Sequence, residues 1–306
     1  MATPMRSQDF RAAVEPILNT GFDGIYKQRA DEWKAFASQQ NGTPRSYHEE
    51  YVQYGFGAAP ELPDGQAITY QSGGVLFVQR YVYRVFGLAF ALTKVLVEDG
   101  EAINIGSQYS KHLAQSMVET KETRMANILN RGFNGSYLGG DGVALMSTAH
   151  PIANGSFSNQ LAVSAALSQT SLEQMLIQIR DAVDNNGKKI RLEPKKLIIP
   201  TANMMQAEVI LNSVLKTGSA NNDLNAIKSL NLVSEGASAV SRLTSTTAWF
   251  VTTTANDDNG IKLLMRRKME KGMEGDFETD SMKYKSTERY GEGWTDPRGI
   301  FGTAGV

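Results

Sequence analysis

The chain has 306 residues, with 31 lysines and arginines against 32 aspartates and glutamates, three histidines and no cysteine. This composition excludes a disulfide framework, a cysteine-based metal site and a thiol nucleophile. The formal net charge of −1 gives no sign of the basic face of a dedicated nucleic-acid-binding protein. The longest apolar run, 85–92, is far shorter than the about 20 residues of a membrane span. No secretory signal pattern is visible at the N-terminus.

Residues 1–60 have the least regular pattern. Apolar residues at Phe10, Val14 and Leu18 predict a short helix, and the segment 33–36 indicates a second one. A stretch rich in glycine and proline follows. We therefore expect these residues to form an extended arm that lies on another surface and has no core of its own.

Residues 66–86 predict a β-hairpin that turns at the pair Gly73 and Gly74. Strand side chains alternate, so residues 77, 81 and 83 face one side and residues 78, 80, 82 and 84 face the other. Both faces carry large side chains, and an isolated hairpin is marginal in water. Two alternatives follow: central strands of a sheet, or a projecting hairpin that neighbouring copies bury. In the second case the candidate intersubunit contacts are Phe77, Arg80, Tyr81, Tyr83 and Arg84.

Residues 103–131 predict one long helix. Ile105, Tyr109, Leu113 and Met117 recur every four residues and form an apolar stripe. A helix of this length is about 40 Å long. We expect it to act as a structural spine.

The second half of the chain mixes helices and strands without strict alternation. A capping-box pair, Thr170 and Glu173, predicts the start of a helix. The apolar segments 197–199, 248–251 and 261–265 predict strands. This order favours an α+β fold over a doubly wound sheet.

The sequence contains no complete catalytic, cofactor-binding or metal-binding motif. His150 is the best candidate for acid–base chemistry, because Asp141 and Ser147 lie nearby and could form a triad with it. The surrounding loop, 139–159, is rich in glycine and would not hold a triad in place. The interpretation that we favour is a hydrogen-bonded anchor of this loop.

Short segments along the chain resemble the major capsid (head) proteins of tailed bacteriophages in order and spacing. They include DGVAL at 141–145, STAHP at 147–151 and SNQL at 158–161. Further matching segments lie at 194–200, 222–226, 274–279, 288–290 and 293–296. The resemblance covers residues 40–303 approximately.

The resemblance implies the Johnson fold of tailed-phage shells. This fold has an N-terminal arm, an extended hairpin loop, a peripheral domain with a spine helix, and an axial domain of mixed sheet and helices. On this chain the implied divisions are the arm at 1–60, the hairpin loop at 61–86, the peripheral domain at 87–139, the axial domain at 140–255 and C-terminal strands that return to the peripheral domain at 256–306.

The implied function is a major capsid protein that self-assembles into an icosahedral head shell enclosing double-stranded DNA. The implied partners are other copies in hexamers and pentamers, separate scaffold and portal proteins, and a decoration protein as an optional addition. The DNA would be enclosed without sequence-specific binding, and no cofactor, catalytic residue or membrane is implied. The location would be the virion, after assembly in the cytoplasm of the bacterial host.

Two features of this sequence depart from some members of the family. Some members join a hairpin lysine covalently to a neighbour's asparagine, whereas here no lysine lies between Lys34 and Lys94. We therefore expect a non-covalent shell. Some members begin with a long charged scaffolding segment, which is not seen here, so a separate scaffold protein is expected. The alternatives are an encapsulin-like compartment, a tail-tube subunit and, less favoured, a soluble hydrolase that uses His150.

Overall fold

A computed structural model describes residues 7–28, 31–93, 95–96, 102–216, 223–276 and 281–306. These residues form the predicted mixed α+β architecture, with two four-stranded sheets and two two-stranded ones. Residue 222 and residues 277–279, which belong to segments of the resemblance, lie outside the described residues. The helices are Ser7–Gln28, Ala102–Asn130, Gln169–Arg180, Met204–Asn212, Ala226–Ser229 and Asn256–Asn259. The strands are β1 (Ser38–Asn41), β2 (Tyr47–Tyr54), β3 (Gly74–Val82), β4 (Arg84–Thr93), β5 (His150–Ile152), β6 (Gly155–Phe157), β7 (Pro194–Ile199), β8 (Ala237–Ala239), β9 (Trp249–Thr253), β10 (Ile261–Asp276), β11 (Ser281–Trp294) and β12 (Ile300–Thr303).

The spine helix, Ala102–Asn130, agrees with the prediction to within one residue at each end. It packs beside a sheet with the strand order β1-β10-β11-β4, in which β10 and β11 are long antiparallel partners. Met125 and Leu129 of the helix share a core with Leu263 and Tyr290 of the sheet. Helix and sheet together form the peripheral part of the molecule.

A second sheet, with the order β12-β9-β7-β8, forms the centre of the axial part. The helix Gln169–Arg180 packs in the same core as this sheet and buries Leu172 and Met175 completely. The helix begins two residues earlier than the predicted capping box implies, because Ser168 and not Thr170 is its N-cap. The hydroxyls of Ser168 and Ser171 each accept the backbone amide of the other residue, so two serines supply the capping box.

The N-terminal segment differs from the extended arm that the sequence predicted. Its helix, Ser7–Gln28, packs along the spine helix, and Val14, Leu18 and Phe22 are fully buried there. Met273 and Tyr284 of the peripheral sheet complete this cluster. The apolar stripe therefore finds its partner within the same chain, which explains why the segment is not extended.

The residues after this helix are also held by their own chain. The 3₁₀ turn Glu32–Ala35 buries Trp33, and Glu122 of the spine helix accepts the backbone amides of Glu32 and Trp33 at 2.9 and 3.2 Å. Strand β1 then pairs in parallel with β10. Burial raises the pKa of Glu122, and the two backbone amides only partly oppose this shift.

The hairpin has a different partner strand from the one predicted. Strand β3 pairs antiparallel with β2, and an exposed loop at 55–73 connects the two strands. The pair Gly73 and Gly74 is therefore not a hairpin turn. A Cβ atom on Gly73 would lie 2.7 Å from the carbonyl oxygen of Tyr54. Glycine is needed here because the two chain segments approach closely. We call β2, β3 and the loop between them the ribbon, and residues 55–73 its tip loop.

The C-terminal region contributes strands to both four-stranded sheets. Strands β10 and β11 belong to the peripheral sheet. The last strand, β12, instead pairs antiparallel with β9 in the axial sheet, where Phe301 is fully buried. A strand with four buried residues needs cover on both faces, and the axial core provides it. The division of the chain into domains remains a prediction.

Candidate intersubunit surface

The alternation of its residues places Val78 and Tyr81 on opposite faces of the ribbon, and these two faces differ in exposure. On the inner face, His48 lies opposite Tyr81, and Tyr81 is 1% exposed. On the outer face, Tyr51 lies opposite Val78, and both side chains are exposed. Inner residues attach the ribbon to the body of the molecule, whereas Tyr51 and Val78 on the outer face remain exposed in the described part of the chain.

Two of the five candidate contacts, Tyr81 and Tyr83, are buried in their own chain. Both pack against Leu264 of β10. The Tyr81 hydroxyl is hydrogen-bonded to Thr295, and the Tyr83 hydroxyl accepts the backbone amide of Thr43 at 2.9 Å. Burial raises the pKa of Tyr81, so the phenol stays neutral and keeps its hydrogen bond. The structure therefore gives both tyrosines the role of intrachain anchors, and a direct intersubunit contact does not fit their burial.

A buried ion pair fixes the base of the ribbon. Lys262 on β10 is 1% exposed, and its Nζ donates to both carboxylate oxygens of Glu50 on β2 at 2.8 Å. Thr295 also donates to this carboxylate, and His48 Nε2 lies 3.2 Å from it. Burial alone would raise the pKa of Glu50, but the hydrogen bonds from Lys262 and Thr295 outweigh it and hold the pKa below its ordinary value.

We expect this ion pair to make stability depend on pH in the acid range. Because the folded-state pKa of Glu50 lies below the ordinary value of 4.5, its stabilisation is complete above about pH 4.5 and is lost as the pH falls through the folded-state pKa. Glu50→Gln should lower the free energy of unfolding at pH 7 by about 2 kcal/mol, since Lys262 then lacks a counter-charge. Denaturant titrations at pH 7 and pH 3 should show this difference shrinking at the lower pH.

Glu49→Gln on the opposite face of the same strand is the matched control. Glu49 pairs with the exposed Arg80 at 2.6 Å, and a surface pair of this kind contributes little. A Glu50→Gln variant that matches the control at both pH values would contradict the anchoring role of the ion pair with Lys262.

The other three candidates lie on or near the accessible part of the ribbon. Phe77 is half-buried, whereas Arg80 and Arg84 are exposed. Arg80 already has partners in its own chain, because it pairs with Glu49 and its guanidinium lies 4.7 Å from the centre of the Tyr47 ring. The side chain of Arg84 has no hydrogen bond or ion pair within the described residues. An intersubunit role for these three side chains remains a proposal.

The outer face of the ribbon is an exposed apolar surface that the sequence analysis did not single out as such. It combines Tyr51 at 60% exposure and Val82 at 58% with Val75 and Val78. The tip loop continues this surface, and every one of its residues is exposed. Its large apolar side chains are Phe56, Leu62, Ile68 and Tyr70. Exposed large apolar side chains grouped on one element are typical of an interaction surface.

A second exposed apolar area lies on the axial part. The helix Met204–Asn212 and the residues that follow it present large side chains to solvent. These side chains are Met205, Val209, Val214, Leu224 and Leu230. The sequence pattern did not reveal this area, because the same apolar residues also fit a buried helix face.

His150 lies in a buried hydrogen-bond network. Its Nδ1 is 2.6 Å from Asp141 Oδ2 and its Nε2 is 3.1 Å from Asn159 Oδ1. The amide nitrogen of Asn159 donates to three backbone carbonyls, so its oxygen accepts and His150 donates through Nε2. Both ring nitrogens are thus engaged, and neither can take a proton from Ser147. The geometry is that of the loop anchor and not of a triad.

The described residues contain no group of three or more histidine, aspartate or glutamate side chains placed to hold a metal ion. Within the same ranges, no helix is both long and apolar enough to cross a membrane.

Several solved structures of phage and phage-like capsids are similar to this chain. The capsid of the cyanophage P-SCSP1u is similar at a TM-score of 0.60 and 10% identity, covering 90% of this chain and 88% of that one. The capsid of the native GTA particle gives 0.58 and 10%, with 90% of each chain covered. The procapsid of bacteriophage JBD30 gives 0.52 and 13%, covering 99% of this chain and 76% of that one. The fold is therefore that of tailed-phage capsid proteins, the Johnson or HK97-like fold.

A family described as phage capsid protein matches residues 80–302, which is most of the chain. The chain belongs to this family and is a shell-forming capsid protein. A comparison with curated protein sequences gives no match. Membership of this family makes the chain a structural protein of the virion and not an enzyme, so the hydrolase alternative is set aside.

Proposed function

We propose that this chain is the major capsid protein of a phage head and that many copies close into an icosahedral shell around packaged double-stranded DNA. The observation that carries the proposal is the exposed apolar outer face of the ribbon with its tip loop. Another copy can cover this surface and gain about 25 cal/mol per Å² of apolar area buried. Because each subunit makes several such contacts, modest energies per contact suffice for a closed shell.

The contacts would come from two regions. The ribbon would lie on a neighbouring subunit, with Phe77, Arg80 and Arg84 close to that contact. The exposed side chains of the axial part would meet around the centres of hexamers and pentamers. A formal net charge of −1 suits a container, since a strongly basic wall would bind the genome tightly and hinder its release.

Further partners complete the proposal. A separate scaffold protein would set the size of the shell, a portal would occupy one vertex, and a decoration protein would be an optional addition. Assembly would take place in the cytoplasm of the bacterial host. These partners follow from the family resemblance, and the sequence supplies no surface that is dedicated to them.

Electron microscopy of the full-length chain, expressed alone and together with its neighbouring phage genes, tests the proposal. We expect closed shells that contain hexamers and pentamers. Tubes or rings would favour a tail-tube subunit instead. Closed shells that enclose a protein cargo and no DNA would favour the encapsulin-like compartment.

We also predict that the shell is held together without covalent links. No lysine lies between Lys34 and Lys94, so the ribbon has no amine that could form an isopeptide bond. Purified particles that are boiled in SDS should run on a gel as one band at 33.5 kDa. A ladder of higher bands that survives boiling would contradict the prediction.

A further inference from the structure

A turn of the axial part, residues 184–188, holds the far end of the ribbon. Asn185 Nδ2 donates to the carbonyl oxygen of Gln53 at 2.8 Å. Asn186 Nδ2 and Lys188 Nζ both donate to the carbonyl oxygen of Phe56, at 3.1 and 2.7 Å. Three side chains from one turn therefore converge on the backbone where β2 ends and the tip loop begins.

The strand pairing is irregular at Gln53 and absent at Phe56, so these two carbonyls can accept hydrogen bonds from outside the ribbon. The register between β2 and β3 shifts between Val52 and Gln53, and β2 ends two residues before Phe56. An interrupted ladder leaves backbone groups without their usual partners. The side chains of the turn supply hydrogen bonds that the ribbon cannot make for itself. Since backbone atoms accept them, the contact does not depend on which side chains the tip carries.

The turn itself is firmly built. Asp184 Oδ1 accepts the backbone amides of Asn186 and Lys188, both at 2.8 Å. Gly187 has a φ of 83°, a left-handed conformation that glycine adopts without strain. The buried Arg298 donates to the carbonyl of Val183 at 2.7 Å and so ties the turn to the C-terminal region. The three donors thus sit on a fixed support.

We infer that the turn 184–188 is a clamp that sets the direction of the ribbon before subunits meet. This inference rests on the proposed function, in which the ribbon is the element that lies on a neighbour. A free two-stranded ribbon is marginal in water, and ordering it during assembly would cost free energy. A ribbon that is already held in place loses less freedom on association, which lowers the concentration that assembly requires.

The test compares the full-length triple variant N185A/N186A/K188A with wild type. Alanine at these positions removes the three donors and leaves Asp184 and the backbone of the turn in place. Lys189→Ala is the matched control, because Lys189 is in the same segment but pairs with Asp181 and not with the ribbon. Hydrogen exchange of the segments 47–54 and 74–82 is measured on dispersed subunits, and light scattering gives the lowest concentration at which shells form.

For the triple variant we expect faster exchange in both ribbon segments and an assembly threshold raised about three- to tenfold, with an unchanged melting temperature. The control should match wild type in all three measurements. Unchanged exchange would show that the turn does not hold the ribbon. Faster exchange with an unchanged assembly threshold would show that holding the ribbon does not affect assembly. Either outcome overturns the inference and leaves the proposed shell function intact. A wild-type protein that never forms shells would refute the proposed function itself.

Discussion

Asn159→Ala should lower the free energy of unfolding by about 3–5 kcal/mol, a large share of the about 5–15 kcal/mol that holds a typical domain together. Asn159 is fully buried, and its amide nitrogen donates to the carbonyls of Leu145, Pro297 and Ile300 at 2.7, 3.1 and 3.1 Å. Its oxygen accepts the backbone amide of Ser147 at 2.9 Å. Alanine removes these hydrogen bonds from buried and half-buried backbone groups, and each buried group that is left without a partner costs about 1–3 kcal/mol before the structure relaxes.

Denaturant unfolding followed by circular dichroism measures this loss. The control is Asn212→Ala, because Asn212 is exposed and its side chain bonds only to Glu208 within the described residues. We expect the control to stay within about 0.5 kcal/mol of wild type. A loss of less than about 1 kcal/mol in Asn159→Ala would show that water replaces the side chain and that the network does not join the loop to the C-terminal region.

A double variant that combines Asn159→Ala with His150→Ala tests whether the two side chains act as one network. Both residues belong to one network, so their effects should not add, and the double variant should lose less than the sum of the single losses. Additive losses would mean that His150 acts independently of Asn159.

Elements with a clear local pattern could be predicted from the sequence. The stripe through Leu113 and Met117 identified the spine helix, and the alternation of side chains identified the two faces of β3. These predictions succeed because the period of a helix or strand is a property of the chain itself. The histidine anchor was also anticipated, since a glycine-rich loop around His150 cannot hold a catalytic triad.

Contacts between distant segments could not be predicted in the same way. Glu50 and Lys262 are 212 positions apart, and nothing local shows that one neutralises the other. The pair Gly73 and Gly74 has the composition of a turn, yet its glycines serve a close approach to Tyr54. The N-terminal helix looked like part of an arm because its partner, the spine helix, lies far along the chain.

The structure also changes which residues can test the role of the ribbon. Aspartate at Tyr81 or Tyr83 would place a charge in the protein's own core and would damage the subunit whether or not shells form. The outer-face residues Val78 and Val82 are exposed, so substitutions there leave the interior of the subunit unchanged. Substitutions at these two positions therefore test assembly without disturbing the folding of the subunit.

We predict that the double variant V78D/V82D folds normally and forms no shells. In the free subunit both aspartates are solvated and cost only the weaker strand propensity of that residue. Under a neighbouring copy each would be a buried carboxylate without a partner, at a cost of several kcal/mol. At about 1.4 kcal/mol per tenfold change in an equilibrium constant, a cost of about 4 kcal/mol per contact raises the assembly threshold about a thousandfold.

Negative-stain electron microscopy and light scattering measure assembly, and the melting temperature and far-ultraviolet circular dichroism measure folding. The control V78T/V82T keeps the branched shape and strand propensity of valine without adding charge, and it should still form shells at a moderately higher concentration. Normal particles from V78D/V82D would show that no neighbour covers the outer face of the ribbon. Because the variant is expected to melt like wild type, a loss of particles can be assigned to the contact between copies and not to a damaged subunit.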